Sequence, residues 1–191
     1  LAVCEEELVS AEAGVFHFVI PANTLREIEK IIGDGDDDVT INLAKKHTLI
    51  EFGQTVIISR LLEGQFFKYE NSLAMPVKNS VTVKTESFTE SVERVTPVIN
   101  EKLKNALICK FEDGSIKLSY TSAIARAYDE CPFEGTCENM EIGLSNKYLL
   151  DALHAIDDEE IRLEFSSPLS PFIIRPTEGN YFFYMIAPVN Q

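Results

Sequence analysis

Catalysis needs titratable, nucleophilic or metal-ligating side chains gathered in a small space, so the acidic clusters, histidines and cysteines come first. Asp34-Gly35-Asp36-Asp37-Asp38 has the opening of a calcium loop, in which spaced carboxylates converge on one cation. Such a loop needs Gly at its sixth position and Glu at its twelfth, and those places hold Val39 and Lys45. The stretch therefore reads as a solvated acidic turn, as does Asp157-Asp158-Glu159-Glu160. His17 lies in an apolar run, His47 at a turn and His154 on a helix, and none belongs to a recognised nucleophile motif. Cys4 and Cys109 sit in the apolar runs LAVC and ALIC and read as small buried hydrophobes. Cys131 and Cys137 flank a turn containing Pro and Gly, with free thiols preferred over a bridge. No CxxC pair or zinc-spaced Cys/His set occurs. Gly33-Asp34-Gly35 is too short and too acidic to cradle phosphate. No catalytic constellation, metal site or cofactor is expected from these residues.

The elements that must position any site are legible in the periodicity. Val15–Ile20 reads as a strand and Thr24–Ile32 as a helix, with Leu25, Ile28, Ile31 and Ile32 on one face and Gly33 as its stop. Strands follow at 39–43, 47–52 and 54–62. Residues 63–78 lack periodicity and read as a connector between domains. Beyond it come a strand at 80–84, a helix at 87–98, and strands at 106–111 and 115–122 around Glu112-Asp113-Gly114, a hairpin signal. Strands at 124–129 and 137–142, a helix opened by Ser145, and strands at 160–165, 171–175 and 181–189 complete the pattern. The terminal run Tyr181–Val189 is apolar enough for a central strand buried on both faces.

The order strand, helix, acidic turn and three strands occurs twice. Leu25, Ile28 and Ile31 correspond to Leu150, Leu153 and Ile156 at a constant offset. By this count one complete two-helix unit is present together with the back half of another. The apolar opening Leu1-Ala2-Val3-Cys4 reads as the middle of a strand, so the sequence is expected to be part of a longer chain.

These segments resemble one family. LAVC, FVIPANTLREIEKII, ISRLLEGQFFKYENSL, FEDGSIKLSY, MEIGLSNKYLLDALHAIDDEEIRLEFSSPLSPFIIRP and YMIAPV appear, in order, as similar stretches in the bacterial DNA polymerase sliding clamp, the beta subunit of the replicative DNA polymerase III. The resemblance covers essentially the whole chain and is most specific over 146–176. It implies an α+β DNA-clamp fold, two-helix units on curved antiparallel sheets, here one and a half repeats. Residues 1–72 would be the second half of the middle domain and 73–191 the complete third domain. The implied function is a replication processivity factor that encircles duplex DNA irrespective of sequence. It would dock polymerase, clamp loader and repair partners through a peptide groove, without catalysis or cofactor. The full-length parent would be a head-to-tail homodimer; a part without the first domain would not close that ring.

The resemblance places Leu1, Phe67, Asn71, Ser72, Leu103, Ser145, Tyr148, Leu169, Met185, Ala187, Pro188 and Val189 around the groove. Candidate DNA-facing charges are Arg26, Lys30, Arg94 and Lys147. The chain departs from the family at Phe66-Phe67-Lys68-Tyr69, where Phe-Pro-Asp-Tyr is usual. It departs again at Asn71, usually basic, at Ala22-Asn23, where basic residues are usual, and at its Ala187-Pro188-Val189-Asn190-Gln191 ending. The missing basic residues leave open a divergent clamp-like peptide-binding module that does not encircle DNA; an unrelated α+β enzyme is the remaining alternative.

Composition sets bounds on these readings. The 191 residues carry 17 Lys and Arg against 31 Asp and Glu, a formal net charge of −14. That excludes a protein coated by nucleic acid over its whole surface, and is compatible with a ring whose positive potential is confined to inner helices. With 45% hydrophobic and 25% charged residues the chain can bury a core. No run approaches the length of a membrane span. The cysteine usage suits a reducing compartment, and a cytoplasmic location is expected.

Overall fold

A computed structural model describes residues 1–6, 16–33, 38–64, 66–74, 76–99 and 106–189. The acidic turn at Asp34–Asp37, Val15, Leu103 and the last two residues lie outside the described set. The chain divides into two compact units, Leu8–Glu70 and Leu1–Glu7 with Asn71–Gln191. In chain order the elements begin with β1 (Ala2–Cys4), α1 (Ala22–Ile32), β2 (Thr40–Leu43), β3 (His47–Phe52) and β4 (Thr55–Arg60). They continue with α2 (Glu70–Leu73), β5 (Asn79–Lys84), α3 (Thr85–Val95), β6 (Leu107–Glu112), β7 (Ser115–Thr121) and β8 (Arg126–Pro132). The last are β9 (Glu134–Thr136), β10 (Met140–Leu144), α4 (Asn146–Leu153), β11 (Glu160–Phe165), β12 (Phe172–Pro176) and β13 (Phe182–Ile186).

The larger unit holds two antiparallel sheets. One runs β1-β13-β12-β11-β5-β9 and the other β10-β6-β7-β8. Alternating burial along β5, β6 and β11 follows from the period-2 geometry of strands, which sends every second side chain inward. Phe111 on β6 meets Phe165 on β11 at 4.3 Å between ring centroids, and Phe172 on β12 lies 6.2 Å from Phe111, so aromatic packing joins the two sheets. The helix α3 rests against β5, β7, β8 and α4, and α4 also touches β13. Phe88, Val92 and Val95 of α3 and Leu149 and Leu153 of α4 enter this core. The turn between β6 and β7 has positive φ at both Asp113 (53°) and Gly114 (75°), the two-residue hairpin turn whose twist matches its strands.

The smaller unit is barer. Its sheet is β2-β3-β4, with α1 as its helix. No residue of α1 is buried. Leu25 is 50% exposed, whereas Leu153, a residue of the matching apolar face in α4, is 2% exposed. The repeat thus reproduces the helix but not its packing: α4 lies against α3 and β13, while in the smaller unit Ile41, Val56 and Ile58 of the sheet stay exposed as well.

Several expectations are corrected. Phe16–Ile20 is not a strand: Leu62 N–H donates to Val19 O at 2.8 Å, but no ladder follows. Cys4 is exposed rather than buried, since it lies on an edge strand; Cys109 is buried as expected. The strand expected at 137–142 falls at Met140–Leu144, preceded by the short β9, and the connector contains α2. Ile156 lies beyond α4 but remains buried.

Candidate functional site

The clearest convergence of predicted site residues is at one end of β13. On one side β1 pairs with β13, and Leu1 continues that pairing: its ammonium donates to Met185 O at 3.0 Å, and Met185 N–H donates to Leu1 O at 2.8 Å. On the other side Phe172 of β12 stands opposite Ile186. The turn bearing Leu169 therefore approaches the same end. That turn is fixed by serines: Ser170 Oγ accepts from the backbone N–H of Ser166 (3.2 Å) and Ser167 (2.8 Å). Ser166 Oγ donates to Pro76 O, which ties the turn to the segment following Asn71 and Ser72.

Beyond β13 the chain passes Ala187 and Pro188, and Val189 N–H donates to Gly143 O at 2.8 Å. Gly143 leads directly to Ser145, whose Oγ caps α4 by accepting from Tyr148 N–H. A Cβ on Gly143 would stand 2.9 Å from Val189 O and 3.0 Å from Ala106 Cβ, so the absence of a side chain there lets the tail lie against β10. Tyr148 is 62% exposed and Leu169 74% exposed, while Met185, Pro188 and Val189 are half-buried. Two large, solvent-facing side chains therefore stand on the elements that lead to this end of β13, near half-buried apolar residues of the tail. Such an arrangement can anchor an apolar segment and orient it through the Tyr148 hydroxyl and Ser145.

Of the twelve predicted groove residues, Leu1, Ser145, Tyr148, Leu169, Met185, Ala187, Pro188 and Val189 share this end of the sheet, and Asn71 and Ser72 join it through Pro76. Phe67 belongs to the smaller unit. The predicted DNA-facing charges are scattered and partly engaged. Lys30 pairs with Glu27 at 2.7 Å and Arg26 donates to Asn23 Oδ1 at 3.2 Å. Arg94 binds Asp129 and Glu90, fastening α3 to β8. Its guanidinium holds the Asp129 carboxyl below the ordinary carboxylate range. Lys147 is exposed on α4.

The smaller unit holds a cavity of about 1000 Å³ that sequence reasoning missed. Phe16 and Phe18 line it together with Lys45 and Lys46 of the turn and with residues 62–64 and 66–70. Two backbone bonds build it, Leu61 N–H to Lys46 O (2.9 Å) and Leu62 N–H to Val19 O (2.8 Å). The sequence signal was present in the basic pair beside a turn and in the aromatic Phe66-Phe67-Lys68-Tyr69, but nothing in their spacing brings them together.

Among the described residues no group of three or more His, Cys, Asp or Glu could hold a metal, and no helix is long and apolar enough to cross a membrane. The geometry, helices packed on antiparallel sheets in a repeated pattern, defines an α+β clamp-type fold. Residues 74–190 match the family model for the C-terminal domain of the DNA polymerase III beta subunit, and residues 1–68 match the model for its central domain. The chain belongs to the DNA polymerase III beta subunit family. It is 28% identical over 175 residues to the beta sliding clamp of Staphylococcus aureus, covering 90% of this chain and 46% of that protein. The crystal structure of the DNA polymerase sliding clamp from Bacillus subtilis superposes with a TM-score of 0.89 at 28% identity, covering 100% of this chain and 51% of that one. A sliding clamp from Bartonella birtlesii bound to griselimycin gives a TM-score of 0.82 at 26% identity, covering 91% and 47% respectively. The chain thus spans about half the length of these relatives. A strand within the central-domain match, β1, completes the sheet of the C-terminal-domain match through β13.

Proposed function

We propose that this chain supplies the partner-docking part of a replication sliding clamp, a non-catalytic cytoplasmic tether whose full-length form encircles duplex DNA. In this reading residues 1–72 are the second half of the middle domain and 73–191 the third domain. Polymerase, clamp loader and repair proteins dock by short apolar-ended peptides, and the full-length parent is a head-to-tail dimer. The observation that carries the reading is the convergence of Leu1, Tyr148, Leu169, Met185 and Val189 around the end of β13. A bound griselimycin in the Bartonella relative supports ligand capture by this fold. The test is a fluorescence-polarisation titration with a polymerase-tail peptide. Tyr148→Ala and Leu169→Ala should each weaken binding by about tenfold, within the range of an anchoring hot spot. Absence of binding, or unchanged binding in both variants, sinks the groove.

A second reading, a peptide-binding clamp relative that does not surround DNA, is favoured by one observation. Two of the four candidate DNA-facing cations, Lys30 and Arg94, are already paired with carboxylates. Loading of the full-length parent onto circular DNA separates the two readings.

A further inference from the structure

Between β11 and β12 the chain turns through Ser166-Ser167-Pro168-Leu169-Ser170, wholly within the residues matched to the C-terminal domain. A backbone N–H that finds no protein partner must go to water. In this turn the serines take every one. Ser170 Oγ accepts from the N–H of Ser166 (3.2 Å) and of Ser167 (2.8 Å), and donates to Ser167 O (2.9 Å). Ser167 Oγ accepts in return from the N–H of Leu169 (3.4 Å) and of Ser170 (3.1 Å). Pro168 has no N–H to place. Ser166 Oγ, outside this reciprocal pair, donates to Pro76 O and accepts from Lys78 N–H at 3.3 Å. The same turn therefore grips the segment that leads into β5.

Two consequences bear on recognition. A partner's carbonyl or carboxylate finds no free N–H on this turn, and the side chain that the turn presents is that of Leu169. The Ser170 hydroxyl uses its one donor and both acceptor sites, so its removal releases three contacts at once and leaves two N–H groups without a partner. A turn ordered in this way has already lost the conformational freedom that binding would otherwise have to remove. We propose that Ser170, together with Ser167, is a positioning residue for partner docking, holding Leu169 in its binding position before the peptide arrives. Ser166 extends the hold to the segment after Asn71 and Ser72. The serines act through Leu169 and touch no peptide themselves. The proposal rests on the groove reading and adds to it the device that sets one of its anchors.

The test is a double-mutant cycle on the 191-residue chain, read by fluorescence polarisation of the labelled polymerase-tail peptide. Ser170→Ala should weaken binding about fivefold, the cost of ordering that the peptide must then supply. In a Leu169→Ala background the same change should cost less than about twofold, because the side chain it positions is gone. Tyr148 stands on another element, α4, so in a Tyr148→Ala background the cost should remain about fivefold. A general loss of stability would weaken binding alike in both backgrounds. Amide exchange followed by NMR gives a second measure: the N–H groups of Ser166 and Ser167 should exchange faster in Ser170→Ala, and those of β6 and β7 should not change. Should circular dichroism show Ser170→Ala unfolded, Ser167→Ala enters the same cycle with the same expectations for binding. Parent-like affinity in the serine variant, or an equal cost in the two backgrounds, overturns the proposal and leaves the groove standing. A parent chain that binds no peptide, or unchanged binding in both Leu169→Ala and Tyr148→Ala, overturns the groove and the proposal with it.

Discussion

Substituting Gly143 by Ala should loosen the tail and the groove together. Gly143 has no left-handed φ, so Ala meets no backbone strain, and in a strand Ala alone would stabilise by about 0.5–1 kcal/mol. The surroundings reverse that sign. The new Cβ would stand 2.9 Å from Val189 O and 3.0 Å from Ala106 Cβ, where ordinary contact begins at 3.4 Å. Overpacking of this kind costs about 1–3 kcal/mol. The Val189-to-Gly143 hydrogen bond at 2.8 Å is the connection most able to give way, at about 0.5–1.5 kcal/mol. Because the tail can yield, we expect a net loss of about 1–2 kcal/mol, or roughly 2–8 °C in Tm for a chain of this length. Displacing Val189 also moves one of the half-buried apolar residues of the tail, so peptide affinity should fall about tenfold. Thermal unfolding by circular dichroism and peptide polarisation read the two effects. Removing residues 189–191 as well should recover most of the stability difference, because the clash with Val189 is then gone. A Gly143→Ala chain as stable as the parent, with unchanged peptide affinity, would contradict this account of the tail.

Three further outcomes are expected. Leu25→Ala should change stability by less than about 0.5 kcal/mol because Leu25 is half-exposed, whereas Leu153→Ala should cost about 2–5 kcal/mol; denaturant unfolding compares them. In thiol labelling at pH 8, Cys4 should react in the folded chain. Cys109 and Cys131, whose pKa values burial pushes up to about 12 and about 11, should react only after unfolding. Arg94 depresses the Asp129 carboxyl, so its contribution is present above about pH 4 and lost as pH falls through the lowered folded value; melting curves from pH 6 to pH 2 should decline more steeply for the parent than for Asp129→Asn.

Local pattern carried the sequence reading where local chemistry decides. The strands expected at 47–52 and 160–165 are β3 and β11 to the residue, and Asp113-Gly114 announced a hairpin that needs two positive φ angles. Ser145 was readable as a helix opener because its side chain satisfies an N–H that the helix leaves free. The proposed groove residues were named only through resemblance, since Leu1 and Met185 are brought together by strand pairing across nearly the whole chain. Other features depended on what packs against them. Phe16–Ile20 has strand composition but, among the described residues, a single backbone bond to another segment, and Cys4 has apolar neighbours but an edge position. The basic and aromatic cavity escaped because two backbone bonds, from Leu61 and Leu62, assemble it from three segments with no shared periodicity.

The pairing of β1 with β13 also has a consequence for biosynthesis. Leu1 and Met185 are separated by 184 positions, so the edge of the six-stranded sheet cannot close until almost all of this sequence has left the ribosome. At roughly 5–20 residues per second, β1 waits on the order of 10–40 s with its backbone donors and acceptors unmatched. During that interval it offers an unprotected strand edge to neighbouring nascent chains. The joint between the two matched domains is thus the last part of the sheet to be secured and the part most exposed to mispairing while the chain is being made.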